Sequence, residues 1–285
     1  MLLCRTAGEL EEALGSLPKP MGLVPTMGAL HAGHLALARV STAENAATVA
    51  SVFVNPAQFG ATEDLRNYPR DLERDAGLLD RHGVHVTFAP AVEEMYPPGF
   101  ATWVVPDGPP AARLEAERRP GHFRGVATAV TKLLLLVRPD VVYFGQKDAQ
   151  QLAVIRRLVA DLHVPCRVAA VATVRDPDGL ALSSRNVYLS PPQRRAATVL
   201  SRALRTAQQA FASGERDSRQ LLETMRQIVE AEPGATLDYV DLADPDTFAA
   251  PSSVESRTLA LIACMVGPTR LIDNTPLGAP LVGGR

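Results

Sequence analysis

The sequence is poor in several features that mark particular classes of protein. Its 285 residues include three cysteines and one tryptophan, and the formal net charge is -2. The cysteines, Cys4, Cys166 and Cys264, are far apart and lack the spacing of a metal site, so we expect them to be reduced, buried thiols. A chain so close to neutral has no general basic surface for a nucleic acid, and we expect none as a partner.

Long apolar runs are missing as well. The longest leucine-rich run, LLLLV at residues 133–137, is far too short to span a lipid bilayer. Glu9, Glu11 and Glu12 follow soon after the N-terminal methionine, where a signal peptide would carry its apolar region. These absences predict a cytoplasmic protein without a membrane partner.

Three motifs of nucleotide and hydrolase sites are likewise absent. Without GxxxxGK[ST] the chain is not a P-loop protein, and the lack of GxGxxG argues against a dinucleotide oxidoreductase. A GxSxG motif and a clear Ser-His-Asp order, which would indicate a serine hydrolase, are missing too. A nucleotide site in this chain must therefore be built in another way.

What is present, up to about residue 173, is an alternation of short apolar runs and helical patterns. The apolar runs predict strands at 22–25, 48–54, 84–89, 141–145 and 167–173. The helical patterns lie at 35–45, 72–82, 126–137 and 149–162. Continuous apolar strands that alternate with helices are typical of a doubly wound parallel sheet, in which ligands bind beyond the carboxyl ends of the strands.

The pattern changes after the turn signal Asp-Pro-Asp-Gly at 176–179. From there the sequence predicts helices at 191–212 and 218–230 and strands at 237–242, 258–265 and 270–273. We therefore expect two domains, an α/β domain over residues 1–175 and a smaller α+β domain over residues 176–285.

The most informative segment is VPTMGALHAGH, residues 24–34. An apolar strand leads into a glycine-bearing turn, and His31 and His34 stand at the start of the next helix, where residues three apart share a face. Unpaired N–H groups and the helix dipole favour an anion there, so both rings could contact one phosphate. Capping and packing of the helix start is a second interpretation. Metal ligation is a third, but it needs further ligands, and the pattern His-Glu-x-x-His is absent.

Two further segments carry side chains suited to a small anionic substrate. Asn55 and Gln58 flank a proline after a predicted strand, and their amides can bind hydroxyl and carboxylate groups, although an Asn-Pro turn is the simpler interpretation. Lys147 and Asp148 follow another predicted strand, where Lys147 suits a phosphate and Asp148 suits either Mg²⁺ or a helix N-cap. Gln151 lies one helical turn after Lys147 and faces the same way.

Two loops add cationic and hydroxyl side chains. Arg119 and His122 lie in RPGHFRG, residues 119–125, which is equally compatible with a basic surface loop. Ser183, Ser184 and Arg185 lie in LSSRN, where a turn with a helix cap competes with a second clamp on a polyphosphate. The clamp is chemically reasonable because arginine is a planar, multidentate donor.

Six blocks, taken together and in order, resemble the pantoate–β-alanine ligase family, also called the pantothenate synthetases. The blocks are PTMGALHAGH (25–34), FVNPAQF (53–59), YPR (68–70), RPGHF (119–123), FGQKD (144–148) and LSSRN (182–186). HxGH alone occurs throughout a wider nucleotidyltransferase superfamily, whereas the six blocks span most of the chain. The resemblance implies a Rossmann-type N-terminal domain, a smaller C-terminal lid domain and a homodimer.

The resemblance also implies a reaction and a set of residue roles. Pantoate and β-alanine would be joined with consumption of ATP and with Mg²⁺, through a pantoyl adenylate, to give pantothenate, AMP and pyrophosphate. The residues that match ATP-binding positions are Met27, His31, His34, Gly145, Lys147, Asp148, Val174, Leu182, Ser183, Ser184 and Arg185. Those that match pantoate or β-alanine positions are Asn55, Gln58, Tyr68, Arg119 and Gln151, with Glu115 beside them. The implied catalytic set is His31, His34, Lys147 and Arg185, and the implied Mg²⁺-linked carboxylates are Asp148 and Asp75.

Three positions depart from the common pattern of that family. Ala32 and Gln146 stand where glutamate is common, and Leu182 stands where methionine is frequent. Gln146 removes one negative charge beside the expected phosphates. Leu182 conserves the side-chain volume against the expected adenine ring.

Overall fold

Among the residues that the structure describes, 1–60 and 63–279, six parallel strands form one sheet. The structure is a computed structural model. The strands are β1 (Leu2–Cys4), β2 (Met21–Thr26), β3 (Ala47–Val52), β4 (Val86–Phe88), β5 (Val141–Gly145) and β6 (Arg167–Val171). Their order is β1-β4-β3-β2-β5-β6, and each neighbouring pair is parallel. The strand order reverses between β2 and β5, which makes that junction the place where such sheets bind ligands.

Helices cover both faces of this sheet. They are α1 (Ala7–Leu14), α2 (Ala32–Glu44), α3 (Leu72–Arg81), α4 (Val92–Met95), α5 (Glu115–Arg118), α6 (His122–Val137) and α7 (Ala149–Asp161). Adjacent residues of a strand point to opposite faces. Leu23 of β2 joins a buried cluster with Leu133 and Ile155, whereas Val24 joins a separate cluster with Leu37. The predicted doubly wound parallel fold is confirmed.

The described residues divide into two compact units. The first consists of Met1–Gly145 and Gln150–Val171, and the second consists of Gln146–Ala149 and the described residues from Ala172 onward. The short segment Gln146–Ala149 thus packs with the second unit, although it lies between β5 and the body of α7 in the sequence. The division into residues 1–175 and 176–285, with nucleotide binding in one part and a lid in the other, stays a prediction.

In the described part of the second unit, three antiparallel strands form a sheet of order β7-β8-β9. The strands are β7 (Thr236–Ala243), β8 (Leu259–Val266) and β9 (Thr269–Pro276), and the helices are α8 (Pro191–Ala197), α9 (Val199–Ala212) and α10 (Ser218–Glu230). Leu204 of α9, Met225 of α10 and Ile262 of β8 meet in one buried cluster. This sheet with its helices confirms the predicted smaller α+β part.

The structure divides the helix predicted at 191–212 into α8 and α9, which meet at Thr198. The Thr198 hydroxyl donates to the carbonyl oxygen of Arg195 at 2.7 Å, and its N–H also donates to that oxygen, at 3.3 Å. Threonine side chains compete in this way with the hydrogen bonds of a continuous helix. Both helices nevertheless bury one face in the same cluster, which is why one apolar periodicity ran through the whole segment.

None of the helices in residues 1–60 and 63–279 combines the length and the apolar character needed to cross a membrane.

Candidate active site

The loop between β2 and α2 brings the two predicted histidines together. His31 is the N-cap of α2, and its Nδ1 accepts a hydrogen bond from the N–H of Gly33 at 3.1 Å. The rings of His31 and His34 lie with their centroids 4.1 Å apart and their planes inclined by 34°. Because Nδ1 of His31 is an acceptor, the neutral ring carries its proton on Nε2. The pair therefore combines a helix start with two imidazoles, an arrangement suited to a phosphate.

Asp75, at the start of α3, holds this loop. Its two carboxylate oxygens accept hydrogen bonds from the N–H groups of Ala29 and Leu30, at 2.8 and 2.9 Å, and its side chain is buried. Gly28 and Ala29 both have positive φ angles, of 81° and 50°. A Cβ at Gly28 would lie 3.0 Å from Asp75 Oδ2, so this turn needs glycine on two grounds. The structure thus gives Asp75 a structural task, since each of its oxygens accepts a main-chain N–H group, and its contact with Mg²⁺ stays a prediction.

Asn55 forms the base of the segment that carries Gln58. Its Oδ1 accepts hydrogen bonds from the N–H of Ala57 at 3.2 Å and from the Tyr96 hydroxyl at 2.8 Å. Its Nδ2 donates to Gln58 Oε1 and to the carbonyl oxygen of Gly125, both at 3.0 Å. A side-chain amide has two donors and two acceptor sites, so these four bonds use its full capacity. Asn55 therefore orients Gln58, and the direct contact of Asn55 with substrate stays a prediction.

The main chain of Gln58 is held by a cluster of three polar side chains, Arg119, Glu63 and His122. Arg119 donates to the two carboxylate oxygens of Glu63 at 3.0 and 2.7 Å, and to Nε2 of His122 at 3.0 Å. Arginine only donates and a carbonyl oxygen only accepts, so His122 carries its proton on Nδ1 and donates it to Gln58 O at 2.8 Å. Burial and then the charge of Arg119 lower the pKa of His122 to about 4. His122 is therefore neutral near pH 7.

Gly125 lets helix α6 approach the same segment. A Cβ at Gly125 would lie 2.2 Å from the carbonyl oxygen of Ala57 and 2.6 Å from the main-chain nitrogen of Gln58. Real side chains do not tolerate such distances, so residue 125 must be glycine for the 3₁₀ helix Pro56–Gln58 to sit where it does. Tyr68 follows this 3₁₀ helix in the chain and is buried. The centroid of its ring lies 5.8 Å from that of Phe59, in an edge-to-face contact.

Gln150 and Gln151 lie in the first turn of α7 and differ in their burial and in their contacts. Gln150 is buried, donates to the carbonyl oxygens of Pro110 and Arg113, and accepts the N–H of Glu115 at 3.1 Å. It therefore fixes the segment before α6, where Glu115 is also buried. Gln151 is only half-buried, and its contact with substrate stays a prediction.

The first unit therefore gathers one group of predicted residues at one edge of its sheet. The carboxyl ends of the adjacent strands β3, β2 and β5 lead to the Gln58 segment, to the histidine loop and, through Gly145, toward α7. Parallel neighbours end at the same edge, which is where doubly wound sheets bind ligands.

The second unit carries the other predicted residues. Lys147 is mostly buried, and its Nζ lies 3.6 Å from the half-exposed carboxylate of Asp148. Ser183 caps the 3₁₀ helix Ser184–Tyr188 by accepting the N–H of Arg185 at 3.3 Å. The Ser183 hydroxyl thus has the predicted capping task. Val174 and Leu182 lie opposite each other across the preceding turn, where the Leu182 N–H donates to Val174 O at 2.9 Å.

Metal binding by protein atoms alone receives no support in this part of the chain. Over residues 1–60 and 63–279, no group of three or more His, Cys, Asp or Glu side chains is arranged to hold an ion. A zinc site built on His31 and His34 is therefore disfavoured, because such a site needs at least three protein ligands.

Sequence reasoning missed the residues that hold these side chains in place. Glu63, Tyr96 and Gly125 support the Gln58 segment, and Asn274 contacts the main chain of Lys147. Each contact joins residues far apart in the chain, so local motifs and periodicity contain no signal for it. Gly28 and Gly33 are different, because their place in the glycine-bearing loop beside the histidines is visible in the sequence itself.

Comparisons with known proteins match this chain to one family over most of its length. The family model for pantoate-beta-alanine ligase matches residues 3–276. A pantothenate synthetase from Roseiflexus sp. (strain RS-1) is 54% identical to the chain over 279 residues, which cover 98% of this chain and 100% of that protein.

Two solved structures are similar over nearly the whole chain. The pantothenate synthetase from Thermus thermophilus has a TM-score of 0.93 and 48% identity, with 97% of this chain and 99% of that chain covered. The pantoate-beta-alanine ligase from Francisella tularensis, in complex with beta-gamma ATP and beta-alanine, has a TM-score of 0.82 and 32% identity, with 99% and 100% covered.

Proposed function

Because this chain belongs to the pantoate–β-alanine ligase family, whose members join pantoate to β-alanine, we propose that its reaction runs in two steps through a pantoyl adenylate. The observation that carries this proposal is the pair of imidazoles at the start of α2, directly after the central strand β2. The Francisella tularensis relative, whose structure holds an ATP compound and β-alanine, supports ATP as the third substrate.

In the first step, a carboxylate oxygen of pantoate attacks the α-phosphorus of ATP. A new P–O bond forms, the bond from the α-phosphorus to the oxygen that bridges it to the β-phosphorus breaks, and pyrophosphate leaves with that electron pair. A carboxyl group ionises at a pH of about 4, so no general base is needed near pH 7. What the enzyme must supply is alignment and neutralisation of phosphate charge.

We assign that task to four side chains. His31 and His34 would donate to phosphate oxygens, and Lys147 and Arg185 would add positive charge. The remaining contacts to the nucleotide are proposed for Met27, Gly145, Asp148, Val174, Leu182, Ser183 and Ser184.

The donor set fits a Mg²⁺ ion that arrives with ATP. Mg²⁺ prefers oxygen ligands and is usually held by one or two carboxylates together with substrate phosphates. The half-exposed carboxylate of Asp148 suits this role, whereas both oxygens of Asp75 already accept main-chain N–H groups. When bound, the ion would neutralise part of the phosphate charge.

Pantoate would be held by the amides of Gln58 and Gln151. Asn55 and Arg119 would act through Gln58, whose side chain and main chain they contact. Tyr68 is proposed to shape the rest of the substrate site. In the second step, the neutral amine of β-alanine attacks the acyl carbon, and a C–N bond forms. The C–O bond to AMP breaks, AMP leaves with that electron pair, and the nitrogen releases one proton to solvent to give the amide. The adenylate is readily hydrolysed, so the site must exclude water.

One assay tests this function directly. The enzyme is incubated with Mg²⁺, ATP, pantoate and β-alanine, and the nucleotide products are separated. We expect AMP in amounts that require both acids. Formation of ADP, or AMP that does not depend on pantoate, would contradict the proposal and would favour another nucleotidyltransferase.

Two further expectations, a homodimer and a cytoplasmic location, stay predictions. Light scattering on a sizing column tests the first, which fails if the protein elutes near the 30.5 kDa of one chain.

A further inference from the structure

The side chain of Asn274 in β9 binds the main chain on both sides of Lys147. Its Nδ2 donates to the carbonyl oxygen of Gln146 at 3.0 Å and to the carbonyl oxygen of Lys147 at 2.7 Å. Its Oδ1 accepts a longer hydrogen bond, of 3.4 Å, from Nε2 of Gln146. All three residues belong to the second unit.

These two carbonyl groups belong to the two peptide planes that meet at the Cα of Lys147. Peptide planes are rigid, so the backbone has only φ and ψ as soft variables at each residue. Holding the plane before and the plane after Lys147 therefore fixes both angles of this residue. The direction in which its side chain leaves the backbone is then set by Asn274.

Asn274 is itself held rigidly. Its side chain is buried, its N–H donates to Oδ1 of Asp273 at 2.8 Å, and its carbonyl oxygen accepts a 3.4 Å hydrogen bond from Arg175. Arg175 and Asp273 form a bidentate ion pair with distances of 2.6 and 2.9 Å, and each side chain is only 2% exposed. Paired, bidentate contacts of this kind hold their partners in one geometry.

The same arginine also holds the segment that leads to Ser183. Arg175 donates to the carbonyl oxygen of Gly179 at 3.2 Å and pairs with Ala181 in an antiparallel bridge. Leu182, which precedes Ser183, donates to Val174 O, next to Arg175. One buried cluster thus supports both segments of the second unit that carry predicted phosphate ligands.

We propose that Asn274 is a positioning residue for Lys147, and that it acts on pantoyl adenylate formation by fixing the two peptide planes beside that lysine. This inference rests on the proposed role of Lys147 at the ATP phosphates. Asn274 touches no substrate in this account. It acts only through the direction that it gives to the Lys147 side chain.

The test uses Asn274 and leaves Arg175 and Asp273 intact, because breaking a buried ion pair strongly destabilises a protein. Asn274→Ala removes both donors. Asn274→Asp keeps the shape but presents acceptors to two carbonyl oxygens, and it serves as the second variant if the alanine protein does not fold.

Gln208→Ala is the matched control. Gln208 is also a buried amide that donates to β9, to Thr275 Oγ1 at 2.9 Å and to the carbonyl oxygen of Pro276 at 2.8 Å. These two partners are the residues that follow Asn274, and Nε2 also contacts the carbonyl oxygen of Ala279 just after the strand, so its loss destabilises the same strand. A general effect of β9 stability should therefore appear in both variants.

The readout is the single-turnover rate of pantoyl adenylate formation per folded enzyme, measured beside thermal unfolding and the KM for pantoate. We expect Asn274→Ala to lower the rate by roughly tenfold or more, since small displacements of a catalytic group have large effects. Gln208→Ala should lower it less than threefold, and the KM for pantoate should change little in either variant. Equal rate effects of the two variants would overturn the inference.

A double-mutant cycle with Lys147→Ala decides whether the effect passes through the lysine. If it does, adding Asn274→Ala to the Lys147→Ala enzyme lowers the rate by less than threefold. The same tenfold loss in both backgrounds would show a separate structural role and would overturn the inference alone. A Lys147→Ala enzyme that forms the adenylate at the normal rate would overturn the role of Lys147, and the inference with it.

Discussion

The imidazole rings of His31 and His34 lie with their centroids 4.1 Å apart at the start of α2. His31 also caps the helix through Nδ1, so one of the two rings has a structural task besides any contact with substrate. His34 is the better residue with which to separate phosphate binding from packing, because it is not the cap.

We predict that His34→Ala lowers the rate of pantoyl adenylate formation by roughly a hundredfold, as expected for loss of one electrostatic donor. The rate is measured in a single turnover and corrected for the folded fraction. His163→Asn is the control, because His163 is exposed, follows α7 and has a φ of 52° that asparagine tolerates. A loss below threefold in His34→Ala, with reduced thermal stability, would assign His34 to packing.

The two candidate Mg²⁺ carboxylates should respond differently to the loss of charge. Asp75→Asn replaces an acceptor by an N–H donor opposite the Ala29 or Leu30 N–H, so we expect the free energy of unfolding to fall by roughly 2 kcal/mol. The Mg²⁺ concentration for half-maximal rate should not change in this variant. Asp148→Asn should raise that concentration and leave stability nearly unchanged. The opposite pattern would return Asp75 to the metal site.

A methyl group at Gly125 should weaken pantoate binding. The added Cβ would displace Ala57 and Gln58, so we expect Gly125→Ala to raise the KM for pantoate by roughly tenfold or more and to alter the KM for ATP little. Gly8→Ala in α1 is the control, since a Cβ there meets nothing within 4 Å. An unchanged KM for pantoate in Gly125→Ala would remove Gln58 from the pantoate site.

The stability of the protein should fall as the pH drops toward 5. The pKa of His122 is lowered to about 4, below the ordinary value of 6.5, so between these values the unfolded chain binds a proton that the folded chain does not. Stability therefore rises with pH across this window, and from pH 7.5 to pH 5 the loss from this group is about 2 kcal/mol.

Denaturant unfolding at several pH values checks this prediction. Glu63, beside Arg119, has its pKa lowered from 4.5: burial raises it, but the Arg119 hydrogen bond and charge outweigh burial. Its contribution is therefore lost mainly below about pH 4.5, outside the range from pH 5 to 7.5 in which the two proteins are compared. His122→Asn keeps a donor for Gln58 O but does not titrate, so its stability should vary less between pH 5 and 7.5. Identical pH profiles of the two proteins would refute the prediction.

The fold was largely readable from the sequence. The central strands β2, β3 and β5 of the main sheet are buried on both faces and therefore appear as continuous apolar runs. Their connection through helices leaves few topologies. The edge strand β1 was missed because it has only three residues, two of them exposed. Helix α1 was missed although Thr6 and Glu9 form a capping box, a pattern that the sequence displays.

The residue types of the candidate site could be predicted from the sequence. Which of these residues contact substrate and which hold their neighbours in place could not. Histidine, lysine and amide side chains after strand ends indicate a phosphate and carboxylate site from chemistry alone. Whether Asn55 or Asp75 touches substrate or supports its neighbours depends on which of their atoms are already bonded. Those partners, such as Gly125 for Asn55 and Ala29 for Asp75, lie far away in the chain, so only the folded structure reveals them.

Pantoate-dependent exchange of labelled pyrophosphate into ATP tests the proposed adenylate most directly. The enzyme is incubated with Mg²⁺, ATP, labelled pyrophosphate and pantoate, without β-alanine, and label in ATP is followed. We predict exchange that requires pantoate and proceeds without β-alanine, because the first step is reversible on its own. Exchange that appears only when β-alanine is present, or none while pantothenate is still formed, would contradict it.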